Sequence, residues 1–80
     1  MEMKKNEYKL SDLFLCGWLL VAGMVLIRTE QQKKNRIVFV LQDITERPAL
    51  INQYYSGNAV VCPLAYKNKI GDLKSLIYSS

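Results

Sequence analysis

The stretch LFLCGWLLVAGMVLI, residues 13–27, places fifteen apolar or small residues in succession within a chain of 80. As one helix it would span about 22 Å, whereas a helix needs roughly 20 residues to cross the hydrocarbon of a membrane. Asp12 and Arg28 stand directly at its two ends. We therefore interpret the run as the core of a small domain, and a single-span membrane protein as the disfavoured alternative.

The run itself divides into a helix and a strand. Ser11 and Asp12 precede it and are suited to cap a first helical turn. Gly23 stands where a helix can end. The following MVLIRTE alternates as a strand does, with Val25, Ile27 and Thr29 predicted on one face and Met24, Leu26 and Arg28 on the other. The pattern predicts a helix over about 11–22, a bend near Gly23 and a strand over about 24–30.

Two apolar stretches separated by a polar one predict an antiparallel hairpin. QQKKNR, residues 31–36, is a polar turn, and IVFVL, residues 37–41, is typical of a strand. Both faces of this second strand are apolar, with Ile37, Phe39 and Leu41 on one side and Val38 and Val40 on the other. We therefore expect both faces to be covered, at least in part.

The second half of the chain predicts two helices. Thr45 is a plausible N-cap, Asp43 and Glu46 fit a capping role, and Pro48 is tolerated in a first turn. The helix then runs to Ser56 and stops at Gly57-Asn58. AVVC, residues 59–62, is either a short third strand or an extended connector. Pro63 opens the last helix, whose predicted apolar stripe comprises Tyr66, Ile70, Leu73 and Ile77, widened by Leu76.

These elements predict an α+β fold. Residues 1–80 form a single small domain of order α-β-β-α-(β)-α, with the antiparallel hairpin packed against helices and residues 1–8 flexible. No small-residue cleavage site follows the polar start, so we expect no signal peptide and a cytoplasmic location. Cys16 and Cys62 both lie in apolar contexts, and we interpret them as buried thiols of a reducing compartment.

The residues that usually carry catalysis are scarce. The chain has no histidine, its seven acidic residues are scattered, and its four glycines form no phosphate-binding loop. Cys62 precedes a helix, which favours a thiolate, but no base accompanies it. The sequence therefore predicts no catalytic, cofactor or metal site.

Basic and aromatic residues are the remaining functional signal. The chain carries a net charge of +4. A basic surface that binds DNA or RNA is predicted from the turn and one edge of the last helix, and its residues are Lys33, Lys34, Arg36, Lys67, Lys74 and Tyr78. An ordinary solvated surface is the alternative. Tyr54 and Tyr55 predict instead a patch that binds a host protein or a second copy of the chain in a dimer.

The order of the pieces also resembles a known pattern. The chain resembles a small domain family of unknown function from bacteria, phages and mobile elements. The stretches that carry the resemblance are SDLFLCGWLL, IVFVLQD and YYSGNAVVCPLAYKNKIGDLKSLIY. The likeness covers the chain from about Tyr8 to Tyr78 and is most specific at the closing LKSLIY; the strand departs from the pattern by having a single aromatic, Phe39. The resemblance implies a soluble α+β domain and an accessory protein of a phage or mobile element, and it carries over no functional residue.

Overall fold

The computed structural model describes residues 6–33 and 36–79, and it confirms the predicted α+β fold. Three helices pack with one antiparallel sheet of three strands. The elements in chain order are β1 (Glu7–Leu10), α1 (Leu13–Val21), β2 (Leu26–Lys33), β3 (Arg36–Gln42), α2 (Arg47–Ser56) and α3 (Pro63–Ser79).

Helix α1 begins and ends as the sequence predicts. The Asp12 carboxylate accepts hydrogen bonds from the backbone N–H of Phe14 at 3.0 Å and of Leu15 at 3.1 Å. At the other end, the N–H of Met24 donates to the carbonyl of Leu19 at 3.0 Å around Gly23, whose φ is +117°. This is a Schellman turn, and it needs the left-handed freedom of glycine. No helix among the described residues is long and apolar enough to cross a membrane.

Strand β3 is the centre of the sheet, between β1 and β2. Tyr8 of β1 and Leu26 of β2 both pair with Leu41, and Thr29 pairs with Phe39. Because β3 has a neighbour on each side and cover on both faces, its residues 38–41 are all buried. This confirms the prediction that both of its apolar faces are covered.

The third strand lies at the other end of the chain from the one proposed. Residues 59–62 form no strand, so the connector alternative is correct there. Glu7–Leu10 form the strand instead, and the prediction of a flexible segment over 1–8 is wrong for Glu7 and Tyr8, while residues 1–5 lie outside the described residues. The exposed backbone edge of β3, rather than any local preference of EYKL, accounts for this strand.

A bulge changes the faces predicted for β2. Leu26 pairs with Leu41 and Arg28 with Val40, so Ile27 is the extra residue. Leu26 therefore lies over the core and Arg28 on the opposite face, although the alternation predicted both on one side. The inner face of the sheet packs on a core that includes Leu15, Cys16, Leu19, Phe39, Leu41 and Leu73.

Charged side chains cover the outer face of the sheet. Arg28 bonds Glu7 at 3.0 Å and Glu30 at 2.7 Å, and Lys9 lies 3.4 Å from Glu30. Lys9 and Arg28 flank Val40 in the same row of the sheet. Their aliphatic stems can shield this valine from water while their charged ends pair with the acids.

The last two helices differ in detail from the prediction. The N-cap position of α2 is Glu46, without a side-chain cap bond, so the Thr45 cap is wrong. Asp43 bonds the N–H of Ile44 and the Arg47 guanidinium instead of capping the helix. Helix α2 ends at Gly57, in the left-handed region with φ +83°, as predicted.

Helix α3 packs against α1 along the predicted stripe. Leu73 is buried, Tyr66, Ile70 and Ile77 are half-buried, and Leu76 is 40% exposed at the stripe's edge. The approach is closest at Gly17, where a Cβ would stand 2.5 Å from the Cδ1 of Ile70. The absence of a side chain at Gly17 therefore sets the distance between the two helices.

Candidate functional site

The predicted basic residues fall into two separate places. Lys34 and the side chain of Lys33 lie outside the described residues, and Arg36 is exposed at the start of β3. Lys67, Lys74 and Tyr78 are all exposed on α3. Helix α3 approaches β2 near Leu26, where the two elements line one cavity. The described basic residues of the turn and of the helix edge thus belong to different elements.

The helix edge is a basic stripe of its own. Lys67, Gly71, Lys74 and Tyr78 follow each other at helical spacings of four, three and four, so they share a face. No ion pair between described residues uses Lys67 or Lys74, whereas Lys9, Arg28 and Arg47 are paired with acids. Asp72 points about 140° away from Lys67 on the helix. No acid in the described part of the chain forms an ion pair with the lysines of this stripe.

An aromatic cavity lies between the three helices. Its volume is about 270 Å³, and it is lined by Trp18 of α1, Tyr54 of α2, Tyr66 of α3 and the small residues Gly57, Ala59 and Val61. The left-handed turn at Gly57 reverses the chain directly after Tyr54, and residues 58–62 then cross to α3. The sequence had indicated Tyr54 but not Trp18 or Tyr66, because 48 positions of chain separate these two.

Hydrogen bonds to backbone carbonyls hold two of the three rings. The Trp18 Nε1 donates to the carbonyl of Leu50 at 3.0 Å, and the Tyr66 hydroxyl donates to that of Phe14 at 3.0 Å. The ring of Tyr54 meets that of Tyr55 edge to face, with centroids 5.1 Å apart. The walls of the cavity are therefore preformed.

Burial and the carboxylate of Asp12 together determine the protonation state of Tyr54 and Tyr66. Burial raises the pKa of Tyr54, and the negative charge of Asp12 raises it further. The pKa of Tyr66 is also raised by burial, and then by Tyr54 and Asp12. Both phenols are therefore neutral at physiological pH, and both lie within the field of the Asp12 carboxylate.

Exposed apolar side chains lie close in the sequence to the residues that line this cavity. Phe14 is 51% exposed and lies one turn before Trp18 on the same face of α1. Tyr55 is 67% exposed beside Tyr54, and Val60 is 88% exposed between two residues of the cavity lining. We call these three residues, with the three aromatic walls, the aromatic patch. It contains both tyrosines predicted to bind a partner.

A second cavity lies at the far end of α1. Its volume is about 340 Å³, and Leu20, Met24, Val25, Leu26, Leu73 and Leu76 line it, with Lys69 and Asp72 as its polar members. Most of its wall is the outer layer of the hydrophobic core. It offers no ring and no unpaired buried polar group, so it is a weaker candidate than the aromatic cavity.

The cysteines occupy different environments. Cys16 is buried, as predicted, and burial raises its pKa to about 12. Cys62 is exposed, so its predicted burial is wrong, because residues 59–62 run outside the sheet. In the described part of the chain, no three histidine, cysteine or acidic side chains come together in a group that could hold a metal ion.

Comparison with known proteins assigns the chain to a family. Residues 5–79 match the model of a domain of unknown function (DUF5659), and the chain belongs to this family. This confirms the resemblance to a small domain of unknown function. No curated protein and no solved structure matches the chain.

Proposed function

We propose that the protein is a non-enzymatic binding module that engages a partner protein through the aromatic patch. The observation that carries this proposal is a preformed aromatic cavity whose lining residues have the exposed apolar side chains of Phe14, Tyr55 and Val60 within one helical turn of them in the chain. Tryptophan and tyrosine dominate the energetic centres of protein interfaces, because they bury a large area at a small cost in conformational entropy. An accessory role in a phage or mobile element fits a module without catalytic residues.

The charge distribution supports the same surface. The walls of the cavity come from residues 13–27 and 48–66, and neither stretch contains a charged residue. The centres of protein interfaces are depleted of charge in the same way, and their charged groups lie at the rim. Here the charged residues that bound these stretches in the sequence are Asp12, Arg28, Arg47 and Lys67.

Surface substitutions that spare the core test this proposal. Tagged wild-type protein is compared with Tyr55→Ser and Val60→Ser, and a captured protein is identified, purified and titrated back by calorimetry. We expect one stoichiometric partner whose Kd rises tenfold or more with Tyr55→Ser, since central aromatic residues contribute about 2 kcal/mol or more. Tyr78→Ser is the matched control, because Tyr78 is 81% exposed but lies outside the patch.

The result against the proposal is equally specific. A purified partner that binds all of these variants equally would place its interface elsewhere. Sedimentation over a range of concentrations shows whether the partner is a second copy of the chain. A dimer that Tyr55→Ser dissociates would make self-association the function of the patch.

A second candidate function is nucleic-acid binding through the basic stripe of α3. The observation in its favour is that Lys67 and Lys74 are exposed and form no ion pair with the described residues, on the same side of the helix as the exposed ring of Tyr78. Lysines can neutralise phosphates, and a free ring can stack on an unpaired base. This surface shares no residue with the aromatic patch, and the two proposals can be tested independently.

Lysine variants on two faces of α3 test the second candidate. Labelled single- and double-stranded oligonucleotides are titrated at two salt concentrations with wild type, Lys74→Gln and Lys69→Gln. If the stripe binds phosphates, Lys74→Gln weakens binding to all sequences and lowers the salt slope by about 0.7 to 0.9 per contact. Lys69, about 140° away from Lys74 on the helix, is the matched control. Equal binding by both variants would show that the basic stripe does not bind nucleic acid.

A further inference from the structure

We infer that the aromatic cavity takes a cationic side chain, a lysine or arginine presented by the protein partner. This inference rests on the proposed function, because it names what the partner inserts at the centre of the aromatic patch. The argument comes from the walls of the cavity, the charges around it and its size.

The residues that line the cavity suit a cationic side chain better than a neutral one. Trp18, Tyr54 and Tyr66 reach one cavity from three different helices, so aromatic residues make up half of its six-residue lining. The face of each ring carries partial negative charge and attracts an ammonium or guanidinium group, with tryptophan the strongest. The remaining wall residues, Gly57, Ala59 and Val61, are small and carry no charge that would oppose this.

The charge that acts on the tyrosines of the cavity is negative. After burial, the carboxylate of Asp12 contributes to raising the pKa of both Tyr54 and Tyr66. Asp12 uses its Oδ1 to cap α1, and its Oδ2 accepts no hydrogen bond from the described residues. Lys67 follows Tyr66 in the chain but points about 100° away on α3, and no basic residue lines the cavity.

The polar atoms of the cavity also fit a cationic donor. The hydroxyl of Tyr54 makes no hydrogen bond with the described residues, so its lone pairs are available. The Trp18 N–H and the Tyr66 O–H, which would repel a cation, are turned to the carbonyls of Leu50 and Phe14. An ammonium group entering the cavity thus meets the Tyr54 hydroxyl as an acceptor, while the donors of Trp18 and Tyr66 are already engaged.

The cavity is large enough for the end of a single side chain. Its volume of about 270 Å³ is close to the lower end of the range of about 300 to 1,000 Å³ that is typical of small-molecule and cofactor sites. The end of one extended side chain can enter it while the partner's backbone rests on the exposed rim of Phe14, Tyr55 and Val60. A basic partner segment therefore fits both the cavity and the rim.

Three small probes of matched shape test the inference. N-acetyl-lysine methylamide, its Nε-trimethylated form and N-acetyl-norleucine methylamide are titrated into the protein, with the emission of Trp18, the one tryptophan in the chain, as the signal. We expect saturable binding of the two cations, about 3- to 30-fold tighter than that of neutral norleucine. Rising salt should weaken the binding of the cations more than that of norleucine.

Variants of Tyr54 and Asp12 test whether these two residues cause the preference for cations. Tyr54→Phe keeps the ring and should retain binding of the trimethylated probe, whereas Tyr54→Leu should weaken it about 3-fold or more. Asp12→Asn keeps an N-cap residue of similar quality and removes the charge, so it should weaken both cations and leave norleucine unchanged. Asp72→Asn, which removes a carboxylate at the other cavity, is the matched control.

The outcomes separate this inference from the proposed function. Norleucine binding as tightly as the cations would overturn the inference and make the cavity a plain apolar pocket. No binding of any probe by the folded wild type would overturn it as well. Neither result bears on the proposed function. That proposal is tested by comparing wild type and Tyr55→Ser for binding of the purified partner, and this comparison does not depend on the charge of the inserted side chain.

Discussion

The indole Nε1 of Trp18 donates a 3.0 Å hydrogen bond to the carbonyl oxygen of Leu50, across 32 positions of chain. Helix α2, which holds Leu50, has no fully buried residue of its own. Its position over the core therefore depends on half-buried contacts and on this bond from α1. The same bond orients the indole ring that forms one wall of the aromatic cavity, so the stability of α2 and the shape of the cavity are coupled.

Trp18→Phe should destabilise the protein by about 1 to 3 kcal/mol, because it leaves the Leu50 carbonyl without its partner and removes part of a buried ring. Urea unfolding followed by far-UV circular dichroism measures the change. Tyr55→Phe, on an exposed ring, is the control and should stay within about 0.5 kcal/mol of wild type. Equal stability of Trp18→Phe and wild type would show that the bond contributes nothing.

Leu73 and Leu76 are three positions apart on α3 but differ in burial, with exposures of 1% and 40%. Leu73→Ala removes a fully buried side chain from the core and should cost about 2 to 4 kcal/mol. Leu76→Ala should cost less than about 1 kcal/mol, since its side chain is partly in water already. The same loss for both in thermal unfolding would contradict the packing of α3 on α1.

Two glycines on facing helices should respond differently to alanine. Nothing lies within 4 Å of a Cβ built on Gly71, in the middle of α3, so Gly71→Ala should stabilise the protein by about 0.5 to 1 kcal/mol. Gly17→Ala would gain the same helix propensity but must displace Ile70, and overpacking costs about 1 to 3 kcal/mol. The denaturant midpoints of both variants measure these changes in stability. If Gly17→Ala stabilised the protein as much as Gly71→Ala does, the close approach of α1 and α3 at Gly17 would be contradicted.

Local signals made parts of this fold predictable. The cap at Asp12 and the left-handed turns at Gly23 and Gly57 depend on neighbours within about one helical turn, and each lies where the sequence placed it. The burial of β3 followed from apolar residues on both of its faces. Such features can be read from short stretches because the interactions behind them are short in sequence.

The parts that the sequence did not predict depend on distant partners. β1 has charged residues at two of its four positions, and it forms because the edge of β3, some 30 residues later, is open to it. The bulge at Ile27 arises from the pairing register and leaves no local pattern. The aromatic cavity joins Trp18 to Tyr66, and neither residue on its own indicates a site. Tyr54 was identified because an aromatic pair at a helix end is visible in the sequence.

The two thiols should differ sharply in reactivity. Cys62 is exposed, whereas Cys16 is buried and its pKa is raised by burial to about 12, with a further contribution from Asp12. A disulfide reagent that attacks thiolates should therefore label one thiol per native chain at pH 8 and two in denaturant. Cys62→Ser is the control and should leave the native protein unlabelled. Rapid labelling of Cys16 in that variant would show that α1 opens easily.

The ion pair between Asp43 and Arg47 should make stability depend on pH in the acid range. The guanidinium of Arg47, 3.0 Å from Asp43 Oδ1, lowers the pKa of this carboxyl below its ordinary value, and the N–H of Ile44 lowers it further. A carboxyl whose pKa is lower in the folded state stabilises the fold above its unfolded pKa, near 4, and loses that contribution as pH falls through the folded value.

Asp43→Asn keeps an acceptor for the N–H of Ile44 and removes the charge, so it isolates the ion pair. At pH 7 the variant should be less stable than wild type by about 0.5 to 1 kcal/mol, a modest value because both partners are partly exposed. The difference should shrink as the pH drops below about 4 and vanish once the pH has fallen through the lowered folded pKa, where the wild-type carboxyl is protonated as well. Urea unfolding of both proteins between pH 2 and 7 measures it. A difference that stays constant over this range would mean that Asp43 acts through its hydrogen bonds alone and that its charge contributes nothing.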